Sequence, residues 1–160
     1  MSTPSHDAHK AKRAAFVEKV GLQVESTGWM PRMSGRVLGL LLVSEQPVTQ
    51  AEIREELLAS VGAISSASRE LIAKRLARRV SIPGSRHTAM ELHPDAWRSL
   101  EEDGLRGVQD YSALARGGLE DFAPHSAAAR NLQRMRDYFA VVEERMQHVL
   151  GWLDETAPRG

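Results

Sequence analysis

Cysteine is absent from the 160-residue sequence. This absence excludes a disulfide framework, a thiolate metal site and a cysteine nucleophile. The N-terminal segment lacks the apolar stretch of a signal peptide, and the longest aliphatic run, residues 37–43, is too short to cross a bilayer. Together these absences favour a cytoplasmic protein that has no membrane partner.

Net charge is also lacking, because 21 Lys and Arg residues balance 21 Asp and Glu residues. The positive charge is nevertheless concentrated. Residues 69–87 contain five arginines and one lysine against a single acid, Glu70, whereas residues 95–155 are acidic overall. A local basic cluster of this kind suits the binding of phosphate, although an ordinary solvated surface explains the cluster equally well when it is taken alone.

Catalytic motifs are missing as well. The sequence has no phosphate-binding glycine loop, no His-Glu-x-x-His zinc motif and no Gly-x-Ser-x-Gly nucleophile elbow. A metal site at His93 with Glu101 and Asp103 is conceivable, but a solvated surface is the much better explanation. We therefore expect neither an enzyme nor a bound metal or cofactor.

The segment from Val48 to Leu92 has the order of elements that is typical of a winged helix-turn-helix. Thr49 and Glu52 form a capping-box pattern at the start of a helix that ends near Gly62. A second helix is predicted from about Ala63 to Lys74. Two strands, over residues 76–82 and 86–92, follow it and are joined by a Pro-Gly turn. The predicted fold is therefore mainly α with a small β-wing.

The second helix of this segment has two contrasting faces. If Ile64 points inward, Ala67, Ser68 and Leu71 do so as well, and a small, polar and basic face remains outside. Small hydroxyl side chains let a helix approach DNA closely, and an arginine can reach a base edge or a phosphate. In the strands, adjacent arginines point to opposite faces, so only one of a pair is expected to face DNA. The predicted DNA-binding residues are Ser65, Ser66 and Arg69 of the helix, and Arg79 and Arg86 of the wing.

Helices are predicted on both sides of this segment. Two precede it, over residues 11–26 and 33–43. Two follow it, over residues 95–116 and 126–155, and Gly117-Gly118 is expected to end the first of these two helices. The predicted division is a disordered tail over residues 1–10, a DNA-binding region over residues 11–93 and a helical dimerisation region over residues 94–157.

The last helix carries apolar residues at alternating steps of three and four, which is a heptad seam. No third helix of this length is available in the chain to cover the seam. A dimer interface is therefore favoured over packing onto the first helix, and both can occur if the helices intertwine. The predicted interface residues are Leu132, Met135, Phe139, Val142, Met146, Val149 and Leu153.

Residues 25–40 resemble the Gly/Pro/Arg signature of GbsR-type regulators in the wider MarR family. Ser60-Val-Gly-Ala-Ile-Ser65 is similar to the entry of their recognition helix, and Pro83-Gly84-Ser-Arg86 is similar to their wing. The resemblance covers about residues 16–92. It implies a homodimeric winged-helix regulator, usually a repressor, in which small ligands bind between the dimer and DNA-binding regions. Family members often have glycine where this chain has Arg75, so the junction between helix and strand stays open.

The same signature contains Arg32 and Arg36, four residues apart on one helix face, and Gly35 and Gly39 in the same spacing. The glycines are expected to let two helices pack closely. We expect the two arginines to hold a helix corner through internal ion pairs rather than to contact DNA.

The sequence thus predicts a dimeric repressor that binds double-stranded DNA at a pseudo-palindromic operator and responds to a small ligand whose site is unknown. The alternative is a winged-helix protein-interaction module without direct DNA binding. The zero net charge and the acidic cluster of Glu52, Glu55 and Glu56 keep this alternative open.

Overall fold

The computed structural model describes residues 4–84 and 86–156. The described chain divides into two compact units between Ala96 and Trp97. The elements, in chain order, are α1 (Pro4–Ser26), α2 (Arg32–Leu42), β1 (Val48–Thr49), α3 (Gln50–Leu57), α4 (Val61–Ala73), β2 (Ala77–Ser81), β3 (Thr88–Leu92), α5 (Ala96–Asp121) and α6 (Ala127–Thr156). None of the described helices is long and apolar enough to span a membrane.

The first helix starts earlier than the sequence predicted. It begins at Pro4 and includes residues that were predicted to form a disordered tail. Proline is favourable in the first turn of a helix because no N–H donor is needed there. Residues 4–10 of the tail predicted over residues 1–10 thus lie in α1, and residues 1–3 lie outside the described residues.

Glycines bring α1 and α2 into close contact. A Cβ atom on Gly35 would lie 2.9 Å from the Cα atom of Gly21 and 2.9 Å from the Cβ atom of Val24. A Cβ atom on Gly39 would lie 3.0 Å from the Cβ atom of Val20. The backbones therefore approach at a distance that other side chains would prevent, which confirms the expected packing role of Gly35 and Gly39.

The helix-turn-helix begins with the predicted capping box. Thr49 Oγ1 accepts a hydrogen bond from the Glu52 N–H (3.2 Å), and Glu52 Oε2 accepts one from the Thr49 N–H (2.7 Å). The second helix, α4, begins at Val61 and not at Ala63, because Ser60 caps it by accepting a hydrogen bond from the Ala63 N–H.

The wing is an antiparallel sheet in which the strand order is β1-β3-β2. Pro83 and Gly84 lie in the turn between β2 and β3, where Gly84 has a φ angle of +76°. The predicted two-stranded wing is therefore confirmed, and a two-residue strand joins it: Val48 pairs with Met90 on the other side of β3. So short a strand carries no detectable periodicity, which is why the sequence did not predict it.

The core of the first unit is formed by apolar residues from every one of its helices and from the sheet. Its largest fully buried apolar side chains are Leu40, Ile53, Ile64, Leu71, Leu76, Met90 and Val37. Burial of each such side chain contributes about 1.5–3 kcal/mol, so this core fixes α4 against the rest of the helix-turn-helix.

The second unit is an antiparallel hairpin of α5 and α6. Tyr111 of α5 stacks on Phe139 of α6, with ring centroids 4.9 Å apart. Leu132 packs on Gly118, where a Cβ atom would lie 3.0 Å from Leu132 Cδ1. Helix α5 continues to Asp121, so the prediction that Gly117-Gly118 breaks it is wrong. Two glycines cost a helix about 2 kcal/mol, and packing against α6 offsets that loss.

Candidate nucleic-acid interface

The two faces of α4 are those that the sequence predicted. Ile64, Ala67, Ser68 and Leu71 are each at most 2% exposed and face the core. On the other side, Ser65 is half-buried, and three residues are exposed. These three are Ser66, Arg69 and Ala73. The outer face of α4 is therefore small, polar and basic, which suits insertion into a DNA groove.

The interior contacts of α4 leave its outer face unobstructed. Ser34 of α2, which is buried, donates a hydrogen bond from Oγ to Glu70 Oε2 at 2.5 Å. This bond holds the carboxylate of Glu70 against α2. The neighbouring Arg69 makes one weak hydrogen bond, from Nε to the Ser65 carbonyl oxygen at 3.4 Å. Most of the guanidinium donors of Arg69 are therefore available to a ligand.

The wing separates its two adjacent arginines. Arg78 lies opposite Glu91, and its Nη2 atom is 2.6 Å from Glu91 Oε1. Arg79 lies on the other face of β2, is exposed, and has no side-chain hydrogen bond or ion pair within residues 4–84 and 86–156. The prediction that the pair would divide between two faces is confirmed. Because Arg78 is already paired with Glu91, Arg79 is the better DNA-binding candidate.

The last predicted contact, Arg86, follows the wing turn. It is exposed, and its side chain has no ion pair with any residue that the structure describes. The structure thus places Ser66, Arg69, Arg79 and Arg86 on exposed positions of the helix-turn-helix and wing. Their contact with DNA stays a prediction.

The structure resolves the junction that the sequence left open. Lys74 is the C-cap of α4, and Arg75 follows it with a φ angle of +55°. The Leu76 N–H donates to the Leu71 carbonyl oxygen (2.9 Å), and the Arg75 N–H donates to the Ile72 carbonyl oxygen (3.0 Å). This pair of bonds is a Schellman motif, so Arg75 ends the helix and β2 starts two residues later.

A basic groove of about 520 Å³ lies beside this junction, between α4 and β2. Sequence reasoning missed it, because the groove depends on how the strand returns alongside the helix. Its lining residues are Arg69, Ile72, Ala73, Arg75, Ala77, Arg78, Arg79 and His93. No acid lines the groove in the described part of the chain. The groove therefore combines an apolar floor with positive charge.

The signature arginines lie elsewhere and form ion pairs. Arg32 pairs with Glu18 of α1, and their hydrogen bond raises the pKa of Arg32 above its usual value. Arg36 Nε lies 3.1 Å from the other Glu18 oxygen, in ion-pair range but outside hydrogen-bond geometry, and Nη2 donates to the Leu57 carbonyl oxygen. The expectation that both arginines stabilise a helix corner is confirmed.

Two of the three acids in the cluster on α3 are engaged within the chain. Glu52 belongs to the capping box, where the hydrogen bond from the Thr49 hydroxyl, and then that from the Thr49 N–H, lowers its pKa. Glu56 Oε1 lies 2.7 Å from Arg13 Nε of α1. The cluster therefore has a structural explanation, which weakens the case for a separate protein-binding module.

The predicted dimer seam lies on α6, where no residue is fully buried. Three seam residues contact α5 of the same chain: Leu132 at Gly118, Phe139 at Tyr111 and Met146 at Gly104. From the sequence, only α1 was expected as a packing partner for α6 within the chain. Val149 is 41% exposed, and the remaining seam residues are half-buried, so the dimer assignment stays a prediction.

The conceivable metal site is not formed. Within residues 4–84 and 86–156, no group of three or more potential metal-ligating residues comes together. His93 instead uses Nδ1 to accept a hydrogen bond from the Asp95 N–H at 3.1 Å.

Comparisons with known proteins agree with this geometry. A family model described as "MmpR5-like MarR family transcriptional regulator" matches residues 95–152. The chain is 34% identical over 140 residues to the HTH-type transcriptional regulator MmpR5 of Mycobacterium tuberculosis, covering 85% of this chain and 83% of that protein. It is 29% identical over 85 residues to the putative HTH-type transcriptional regulator YvaV of Bacillus subtilis, covering 53% of this chain and 48% of that protein.

A solved structure described as a transcriptional regulator also matches. It has a TM-score of 0.70 and 33% sequence identity, and the match covers 90% of this chain and 99% of the other. These relatives are transcriptional regulators and not enzymes, as the missing catalytic motifs indicated. Because the chain has a winged helix-turn-helix and is 34% identical to a regulator over 83% of that protein's length, it belongs to the MarR family of DNA-binding transcriptional regulators.

Proposed function

We propose that the protein is a homodimeric repressor that binds a pseudo-palindromic operator and is released from it by a small ligand. The observation that carries the DNA-binding mode is the outer face of α4. Two such faces in a two-fold dimer would enter successive major grooves, roughly 34 Å apart. Ser65, Ser66 and Arg69 would contact DNA from the helix, and Arg79 and Arg86 from the wing.

Dimerisation is supported by the hairpin of α5 and α6. Helix α6 has 30 residues, none of which is fully buried, and apolar side chains as large as Trp152 are more than half exposed. Two helices alone cannot enclose their apolar faces, whereas two hairpins packed together form a four-helix arrangement that can. We therefore assign the seam from Leu132 to Leu153 to contacts both within the hairpin and between protomers.

Repression follows from the same arrangement, because a dimer that covers the operator blocks access to an overlapping promoter. The similarity of residues 25–40 to GbsR-type regulators supports assignment to that subgroup.

We further propose a cytoplasmic location, where the operator is found. The ligand would act by changing the spacing of the two recognition helices, since only one spacing fits both half-sites.

The DNA-binding surface can be tested by gel shift on the DNA upstream of the gene and its neighbours. Arg69→Ala and Arg86→Ala should each weaken binding by about tenfold or more, the loss expected for one charge-assisted hydrogen bond. Arg106→Ala, which removes an exposed arginine of α5 paired with Asp103, is the control and should bind normally. Unchanged binding by both of the first two variants would contradict the site, and no binding to any genomic DNA would contradict the function.

A further inference from the structure

Arg75 occupies a backbone position that does not suit it. Its φ angle of +55° lies in the left-handed region, where a Cβ atom crowds the backbone and where glycine is free of that strain. The Schellman motif requires this conformation, but it requires only backbone atoms of the residue that adopts it. The helix end would therefore be more stable with glycine at position 75.

No contact within the described chain stabilises the Arg75 side chain at this position. The side chain is exposed, and it forms no hydrogen bond or ion pair with any described residue. Strain that folding does not explain is a reason to look for a ligand.

The groove beside Arg75 indicates what that ligand is. Arg69, Arg75 and Arg79 line it without an acidic partner in the described chain, whereas the charge of Arg78 is balanced by Glu91. Three unbalanced guanidinium groups around one groove repel one another unless an anion lies between them.

Backbone donors add to these charges. Because β2 is the outer strand of the sheet, one of its edges is unpaired in the described structure. The His93 N–H donates to the Leu76 carbonyl oxygen, and hydrogen bonding alternates along an antiparallel pair. The N–H groups of Ala77 and Arg79 therefore point away from β3, and both residues line the groove. Guanidinium and amide donors of this kind hold phosphate oxygens.

We propose that Arg75 binds a backbone phosphate of DNA in the groove between α4 and β2. This inference rests on the proposed mode of DNA binding, in which α4 and the wing contact the same duplex. The contact positions the duplex between helix and wing and carries no information about base sequence. The strained backbone at position 75 is retained because glycine, which would relieve it, has no side chain to make the contact.

Two variants separate the strain from the contact. Arg75→Gly removes both, so it should raise the melting temperature by about 2–4 °C and weaken DNA binding about tenfold. Arg75→Ala removes only the side-chain contact, so it should weaken binding equally without raising the melting temperature. Arg106→Ala serves as the control for loss of one exposed positive charge and should leave both quantities unchanged.

Salt dependence distinguishes a phosphate contact from a base contact. The slope of log affinity against log salt should fall by about one in both variants, because one phosphate contact is lost. The loss of affinity should be equal on a duplex selected for binding from a random library and on an unrelated duplex of the same length. Wild-type affinity and slope in Arg75→Gly would overturn the contact, and a loss confined to the selected duplex would overturn the phosphate assignment. If the wild-type chain binds neither duplex, the proposed function falls together with this contact.

Discussion

Arginines of the first unit differ in whether they have an acidic partner. Arg32, Arg36 and Arg78 are each paired with a glutamate, and these pairs join α1 to α2 and β2 to β3. Arg79 and Arg86 have no acidic partner among the described residues, and they belong to the candidate interface. A count of positive charges along the sequence therefore overestimates the charge that is available to DNA, because an arginine already paired attracts phosphate less strongly.

Glu52 is expected to make stability depend weakly on pH. Its pKa is lowered in the folded chain by hydrogen bonds from Thr49, so it adds stability above the ordinary range of a carboxyl group, and this stability is lost as the pH falls through the lowered value. Because the group is exposed to solvent, Glu52→Gln should cost only about 0.5 kcal/mol at neutral pH, and less at an acid pH below the ordinary range of a carboxyl group.

The measurement is chemical unfolding at both pH values. Glu45→Gln is the matched control, because Glu45 is exposed and has no side-chain partner in the described chain. An equal loss of stability at the two pH values in Glu52→Gln would contradict this role.

Gly35→Ala should destabilise the first unit. The added Cβ atom would lie 2.9 Å from both the Cα atom of Gly21 and the Cβ atom of Val24, so α1 and α2 would have to separate. Overpacking of this kind costs about 1–3 kcal/mol. Gly107→Ala is the control, because a Cβ atom there meets no atom within 4 Å and alanine favours a helix. Chemical unfolding of both variants measures the difference, and an unchanged stability of Gly35→Ala would show that the helices can separate freely.

At the scale of helices and strands, elements with local signals were the most predictable. The capping box of Thr49 and Glu52 predicted the start of α3, and the periodicity of Ile64, Ala67 and Leu71 predicted which face of α4 is buried. The Pro-Gly turn predicted the wing. In each case the signal and the structure that it specifies lie within a few residues of each other.

The elements that were predicted wrongly depend on more distant or weaker effects. Helix α5 continues through Gly117-Gly118, and Leu132 of α6 packs on Gly118 there. Strand β1 is defined by its pairing to β3 and not by its own two residues. The basic groove was missed for a similar reason, since α4 and β2 line it together. Local propensity cannot report contacts of this kind.

At the scale of the whole molecule, the proposed dimer predicts that two similar substitutions on α6 will behave differently. Val149 belongs to the heptad seam and is 41% exposed, whereas Val141 lies off the seam and is 57% exposed. Val149→Asp should convert the dimer to monomers, since a buried unpaired carboxylate costs several kcal/mol. Val141→Asp should leave the dimer intact.

Sedimentation analysis of both variants provides the test, and DNA binding should follow the oligomeric state because a monomer reads only one half-site. A wild-type chain that sediments as a monomer, or a dimer that survives Val149→Asp, would contradict the assigned interface.

The sequence by itself determined the winged helix-turn-helix, the two faces of α4 and the regulator class, because capping, periodicity and turn chemistry act over a few residues. The tertiary structure decided which arginines form ion pairs: Glu18 engages Arg32 and Arg36, and Glu91 engages Arg78. It also decided the conformation of Arg75, whose left-handed backbone closes α4. These outcomes depend on residues that are distant in the chain or on backbone geometry at a junction, and neither leaves a periodic pattern in the sequence.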